Sequence, residues 1–184
     1  MNDELIFKVL LLGDGYCGKT SMRYRYMGQD FTSNYLATLG ADFAIKEEIR
    51  DNFIVRYQIW DIAGQTRFNT LRKSFYLGSQ GALILFDLTN KESLSHVLDW
   101  AIEFWENNGK GKSMPLVVIG NKIDLRDQKA DCISTDEGKK YIEEQLDKRV
   151  DYKVEYIETS ALTGENIDKA FKTIADYYMK MYDL

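Results

Sequence analysis

The chain has 184 residues, 45% of them hydrophobic and 29% charged, with a formal net charge of −5. That length suits one domain spanning residues 1–184 with a sizeable core. The acidic balance speaks against a duplex nucleic-acid partner, which needs a basic face, and no stretch approaches the roughly 20 apolar residues of a membrane span.

The first four residues, Met1-Asn2-Asp3-Glu4, are acidic and carry neither the basic start of a signal peptide nor a glycine for myristoylation. Residues 5–12 form a short apolar run that predicts a buried strand. Gly13-Asp14-Gly15-Tyr16-Cys17-Gly18-Lys19-Thr20 follows and fits the phosphate-cradling pattern G-x-x-x-x-G-K-[ST]. Gly13 and Gly18 allow the tight turn that aims successive N–H groups at a polyphosphate. Lys19 supplies a positive charge between the last two phosphates, and the Thr20 hydroxyl can ligate Mg²⁺. Residues 21–27 are expected to continue as a helix whose N-terminus faces the anion. The chain has two cysteines, and one of them, Cys17, lies in this loop. A structural disulfide is therefore not expected, and a reducing, cytoplasmic compartment fits.

Between residues 40 and 61 the pattern changes. Phe43, Ile45 and Ile49 alternate with polar residues, Asp51-Asn52 predict a turn, and Phe53, Val55, Tyr57 and Ile59 alternate again. This is a hairpin signature, and it places one antiparallel edge strand on an otherwise parallel sheet. The second arm ends in Asp61-Ile62-Ala63-Gly64-Gln65. Asp61 can hold Mg²⁺ through a water, Gly64 can offer a backbone N–H to a terminal phosphate, and Gln65 can orient an attacking water.

Further along, residues 82–86 and 116–119 are nearly continuous apolar runs, as buried parallel strands should be. Leu94, Val97, Leu98, Ala101, Phe104 and Trp105 share one helix face, with Asn90 as the predicted N-cap. His96, the single histidine, falls on the same helix with a surface role expected. Ile167, Ala170, Phe171, Ile174 and Tyr178 define a last helix, with Thr163 as its predicted N-cap. The outcome is an α/β domain with helices on both faces, whose ligand sits beyond the carboxyl ends of the strands.

Asn121-Lys122-Ile123-Asp124 follows the run at 116–119. A carboxylate such as Asp124 can accept two hydrogen bonds side by side, and guanine offers such a pair at N1–H and its exocyclic amine. Adenine has no donor at N1. Lys122 can lay its aliphatic stem along the base. Thr159-Ser160-Ala161-Leu162, after another strand-like segment, lets a backbone N–H reach the base carbonyl.

With these motifs in this order, residues 5–180 resemble the small GTPases of the Ras superfamily, and among them the Rab proteins most. Leu39-Gly40-Ala41-Asp42-Phe43, Tyr57-Gln58-Ile59-Trp60-Asp61, Arg67-Phe68-Asn69-Thr70-Leu71 and Phe75-Tyr76-Leu77-Gly78-Ser79 carry the Rab likeness. The resemblance implies a P-loop NTPase fold with a six-stranded, mostly parallel sheet and about five helices. It implies a switch that binds GTP or GDP with Mg²⁺ and slowly hydrolyses GTP, working in vesicle traffic as a monomer. Its partners would be effector proteins, an exchange factor and a GTPase-activating protein. Gly15, Tyr16, Cys17, Ser21, Leu125 and Leu162 join the nucleotide contacts by the same likeness. Phe31 would pack against the base, Tyr35 would cover the phosphates, and Thr38 would close on Mg²⁺ and the terminal phosphate. Phe43, Trp60 and Phe75 match the aromatic trio that Rab proteins show to effectors.

Departures from the family pattern are Tyr16 where a small residue is usual, Cys17 for Val, and Ile62 and Thr66 for Thr and Glu. They put hydrolysis rate and partner choice in question, not nucleotide binding. The final residues hold no cysteine to prenylate, so the chain is either truncated or works without a lipid anchor; a membrane enters only with such a tail. A nucleotide-locked scaffold and a P-loop small-molecule kinase are the competing readings.

Overall fold

The computed structural model of the chain describes residues 3–30, 38–50, 53–64 and 69–183. The strands are β1 (Asp3–Gly13), β2 (Ala41–Arg50), β3 (Phe53–Ile62), β4 (Gly81–Asp87), β5 (Leu116–Asn121) and β6 (Glu155–Thr159). The helices are α1 (Lys19–Tyr26), α2 (Asn69–Tyr76), α3 (Lys91–Ser95), α4 (Val97–Asn107), α5 (Thr135–Gln145) and α6 (Ile167–Met181). The strands form one sheet in the order β2-β3-β1-β4-β5-β6, parallel throughout except for the antiparallel β2–β3 pair. This is the predicted architecture, with the hairpin at one edge; its turn at Asp51-Asn52 lies outside the described residues.

The apolar runs are where they are for a simple reason. β4 and β5 are covered by helices on both faces, so every residue from Ala82 to Phe86 and from Leu116 to Ile119 is buried. β3 has two unlike faces. Val55, Tyr57 and Ile59 are fully buried, while Trp60 lies on the outer side with exposed Phe43, Ile45 and Ile49 of β2. The inner face is aromatic: Tyr26 of α1 stacks on Phe171 of α6 at 3.7 Å, and Tyr57 meets both rings edge-on.

Two local expectations are corrected. The helix predicted across residues 94–105 is broken at His96 into α3 and α4, so that six α-helices stand among the described residues. Asn90 does cap α3, its side chain accepting the Glu92 N–H at 3.0 Å. Thr163, in contrast, does not cap α6. Its hydroxyl accepts the Glu165 N–H two residues on, a local turn, and the helix starts at Ile167 behind Asn166, whose φ is 57°.

Candidate functional site

The parallel register brings four chain segments to one rim. β1 ends in Gly13, where the glycine-rich loop begins; β3 ends beside it with Leu11 opposite Asp61; β5 and β6 end with Asn121 opposite Thr159. Gly15, Tyr16, Gly18, Lys19, Thr20, Thr38, Ala63 and Gly64 line one cleft there.

The loop from Gly13 to Thr20 wraps its own lysine. Lys19 is 6% exposed, and its ammonium donates to the carbonyls of Gly13 at 2.8 Å and Asp14 at 2.7 Å. Gly18 caps α1 with φ 100°, and a Cβ there would fall 2.2 Å from Asn121 Nδ2. Only glycine satisfies both demands. Gly64 is equally confined: a Cβ would meet the Gly13 carbonyl oxygen at 2.4 Å, so the segment after β3 lies directly on the glycine-rich loop. Tyr16 also has positive φ, 66°, and its side chain is turned outward, 65% exposed, at the cleft's mouth. Cys17 is buried, burial pushes its thiol up, and both cysteines are free. Ser21 is half-buried on the first turn of α1.

Thr20, Thr38 and Asp61, the predicted metal-binding set, converge. Thr20 Oγ1 donates to Asp61 Oδ2 at 2.5 Å and stands 3.1 Å from Thr38 Oγ1. Asp61 is fully buried, and its Oδ1 has no hydrogen-bond partner among the described residues. Burial raises its carboxyl, opposed by the Thr20 hydroxyl and by Lys19 and Arg23. A buried carboxylate oxygen without a donor, beside two hydroxyls and a lysine, is a donor set that suits a hard oxygen-seeking cation such as Mg²⁺.

The base-side motifs are tied together by Asn121. Its Nδ2 donates to the Cys17 carbonyl at 2.9 Å, while its Oδ1 accepts from Thr159 Oγ1 at 3.1 Å and the Ala161 N–H at 3.2 Å. One buried amide thus joins the glycine-rich loop to both loops predicted to meet a base. Ser160 donates its hydroxyl to Asp124 Oδ1, which orients that carboxylate. Lys122, held at φ 72°, anchors its ammonium on Asp87 at 2.7 Å. Leu125 is half-buried, its N–H donating to the Lys122 carbonyl, and Leu162 is exposed. The predicted Phe31, Tyr35 and Gln65, with Thr66 and Arg67, lie outside the described residues.

The aromatic trio forms one cluster on the outer sheet face. Trp60 is 5.0 Å from Phe43 and 5.5 Å from Phe75, centroid to centroid, and the Lys8 ammonium lies over its ring. Phe43 is exposed, and the other two are half-buried.

Sequence reasoning passed over Asp14 and Asp87. Asp87 ends the buried strand β4, and a charged residue at the carboxyl end of an apolar run was the available signal. Asp14 stands at a variable position of the octet, and its partners are 82 and 86 residues away. His96 Nδ1 is 2.7 Å from its Oδ2, and Trp100 Nε1 donates to its Oδ1 at 2.8 Å. His96 is therefore not only a surface residue.

The Asp14 carboxylate raises the His96 pKa above its ordinary 6.5, with Glu92 and Asp99 adding to it against partial desolvation. A raised folded-state value means that the pair's stabilisation is complete below 6.5 and fades as pH rises through that higher value. His96 is 42% exposed, so the effect is small. The melting-temperature advantage of the wild type over His96→Asn should shrink between about pH 5 and about pH 8. An advantage that is level or grows over that range contradicts the pairing.

A family model described as the Ras family matches residues 8–180. Ras-related protein Rab-3C of Bos taurus is 34% identical over 179 residues, covering 95% of this chain and 72% of the relative. Ras-related protein Rab-1 of Theileria parva is 36% identical over 172 residues, with 94% and 74% covered. Ras-related protein Rab-8B of Homo sapiens is 32% identical over 172 residues, with 94% and 78% covered. Matched along nearly its whole length and built on the sheet such proteins share, the chain belongs to the Ras family, as a Rab-like small GTPase.

Proposed function

We propose that this protein is a guanine-nucleotide switch that binds GTP and GDP with Mg²⁺, hydrolyses GTP slowly, and acts in membrane traffic as its Rab relatives' likeness implies. The observation that carries the reading is the buried Asn121 amide, which holds the glycine-rich loop and the two base-side loops as one unit.

Each residue then has a task. The loop N–H groups and Lys19 hold the phosphates and stabilise the charge that develops on the transferred group. Asp124 accepts two hydrogen bonds from guanine, and Ser160 fixes its orientation. Mg²⁺, when bound, would be held by Thr20, Thr38 and, through water, Asp61, and would neutralise phosphate charge. Gly64 brings its backbone against the phosphate loop, and Gln65 places the attacking water. Among the described residues no arginine lines the cleft, so turnover should be slow until an activating protein supplies a group in trans. Effectors would read the Phe43–Trp60–Phe75 cluster, with an exchange factor acting at the switch segments.

Calorimetry on purified, nucleotide-free protein tests this directly. GDP and GTP should bind and ADP and ATP should not; preference for adenine nucleotides, or no purine binding, defeats the proposal. Single-turnover phosphate release then separates a slow switch from a scaffold, which would release almost none, and from a kinase, which would need an acceptor. The scaffold reading draws on one observation, the Tyr16 ring at the mouth of the cleft.

A further inference from the structure

A polar chain leaves the glycine-rich loop toward α4 and α2. It runs from Asp14 to Trp100 on α4 and from Trp100 to Arg72 on α2. Trp100 is 6% exposed and donates its indole N–H to Asp14. The Arg72 guanidinium lies over the face of that indole, 4.3 Å from the ring centroid. Arg72 is itself 5% exposed and grips Glu103 of α4 with a fork, Nε to Oε1 at 2.6 Å and a terminal nitrogen to Oε2 at 2.5 Å.

A buried arginine fork is a poor source of net stability, because desolvation offsets most of the attraction. Here one further terminal nitrogen of Arg72 is buried with no partner among the described residues, which adds to the cost. What the fork does supply is geometry. Two parallel hydrogen bonds and a stacked ring hold α2 against α4 in a defined orientation. Three residues further along α2, Phe75 touches Trp60 of the outer aromatic cluster. One short helix therefore meets the phosphate loop's support on one side and the aromatic cluster on the other.

We propose that Arg72 is a positioning residue that couples α2 to the phosphate loop through the face of Trp100 and the carboxylate of Asp14. Nucleotide retention and the seating of α2, with Phe75 on it, are then two readouts of one arrangement. By linkage, a partner that shifts α2 through the cluster alters nucleotide affinity, and nucleotide binding alters the cluster in return. The inference rests on the nucleotide-switch reading.

Spatial contiguity does not establish coupling; a double-mutant cycle does. Release of a fluorescent GDP analogue would be timed for the 184-residue wild type, Arg72→Leu, Asp14→Ala and the double variant, with Mg²⁺ present. Each single change should speed release by about three- to thirtyfold, and the double should release no faster than the faster single. Two factors that multiply in the double variant would overturn the coupling. So would an Arg72→Leu protein that melts lower yet releases the analogue at the wild-type rate, since that describes a merely structural residue. If Arg72→Leu does not fold, Glu103→Gln, which weakens the fork without removing the cation, takes its place in the cycle under the same criterion. A wild type that retains no guanine nucleotide overturns the switch reading and the coupling together. One that retains it and shows multiplying factors overturns the coupling alone.

Discussion

Asn121→Ala should be among the most damaging single substitutions in this protein. It strands the Cys17 carbonyl, the Thr159 hydroxyl and the Ala161 N–H, all in buried surroundings. A buried polar group that loses its partner costs about 1–3 kcal/mol, and such losses add incompletely. A total of about 3–5 kcal/mol follows, or a drop of roughly 10 °C in melting temperature for a domain of this size. Nucleotide retention should fall as well, because the amide fixes the phosphate loop relative to the base loops, and misplacement of about 1 Å at such a site can cost about a hundredfold. Thr159→Val is the control. It removes one of the three contacts and should cost roughly a third as much. Chemical denaturation of both variants decides the matter: if Asn121→Ala is no more destabilising than Thr159→Val, the amide is not what holds the three loops together.

Asp124→Asn should behave in the opposite way, leaving stability nearly unchanged while guanine affinity collapses. The side chain is half-buried at the rim, and Ser160 can still donate to the remaining carbonyl oxygen. What is lost is acceptance of two adjacent donors by a charged group. Hydrogen bonds to charged groups are worth about 1.5–3 kcal/mol each, so the loss is about 3–6 kcal/mol, or about 10²- to 10⁴-fold in affinity. The new amide N–H faces the guanine amine as donor against donor, which adds to the penalty. A base with a carbonyl in place of that amine, as in xanthosine nucleotides, should gain in affinity. Titration calorimetry with GDP and xanthosine diphosphate reads both changes. GDP affinity within tenfold of wild type would mean that Asp124 does not read the base.

The two variants separate what could be read from the chain and what could not. Asp124 could be proposed as a base reader from the chain alone, because that chemistry follows from residue type and its position after an apolar strand. Asn121 was legible as a member of the same motif, but not as the amide that joins three loops. Its three partners lie 104, 38 and 40 residues away, and no local pattern marks them. The break at His96 was hidden for a similar reason. The apolar period runs unbroken across residues 94–105, and the carboxylate that pairs with His96 is 82 residues upstream. Thr163 shows a third way to miss. Cap preference is a weak local bias, and a two-residue turn took the hydroxyl first.

The chain alone determined the strands and helices whose burial is uniform. β4 and β5 are apolar throughout because both faces are covered, and α6 repeats its apolar residues with the period of one buried stripe. It also determined the turn of the glycine-rich loop, since backbone turns with positive φ and close approach demand glycine wherever they occur. Tertiary structure alone decided which polar side chains meet across the rim: Asn121 with Cys17, Asp14 with His96 and Trp100, and Arg72 with Glu103. The physical reason is range. Burial leaves a periodic trace in every element, whereas a hydrogen bond between distant segments depends on register and packing that exist only once the sheet has formed.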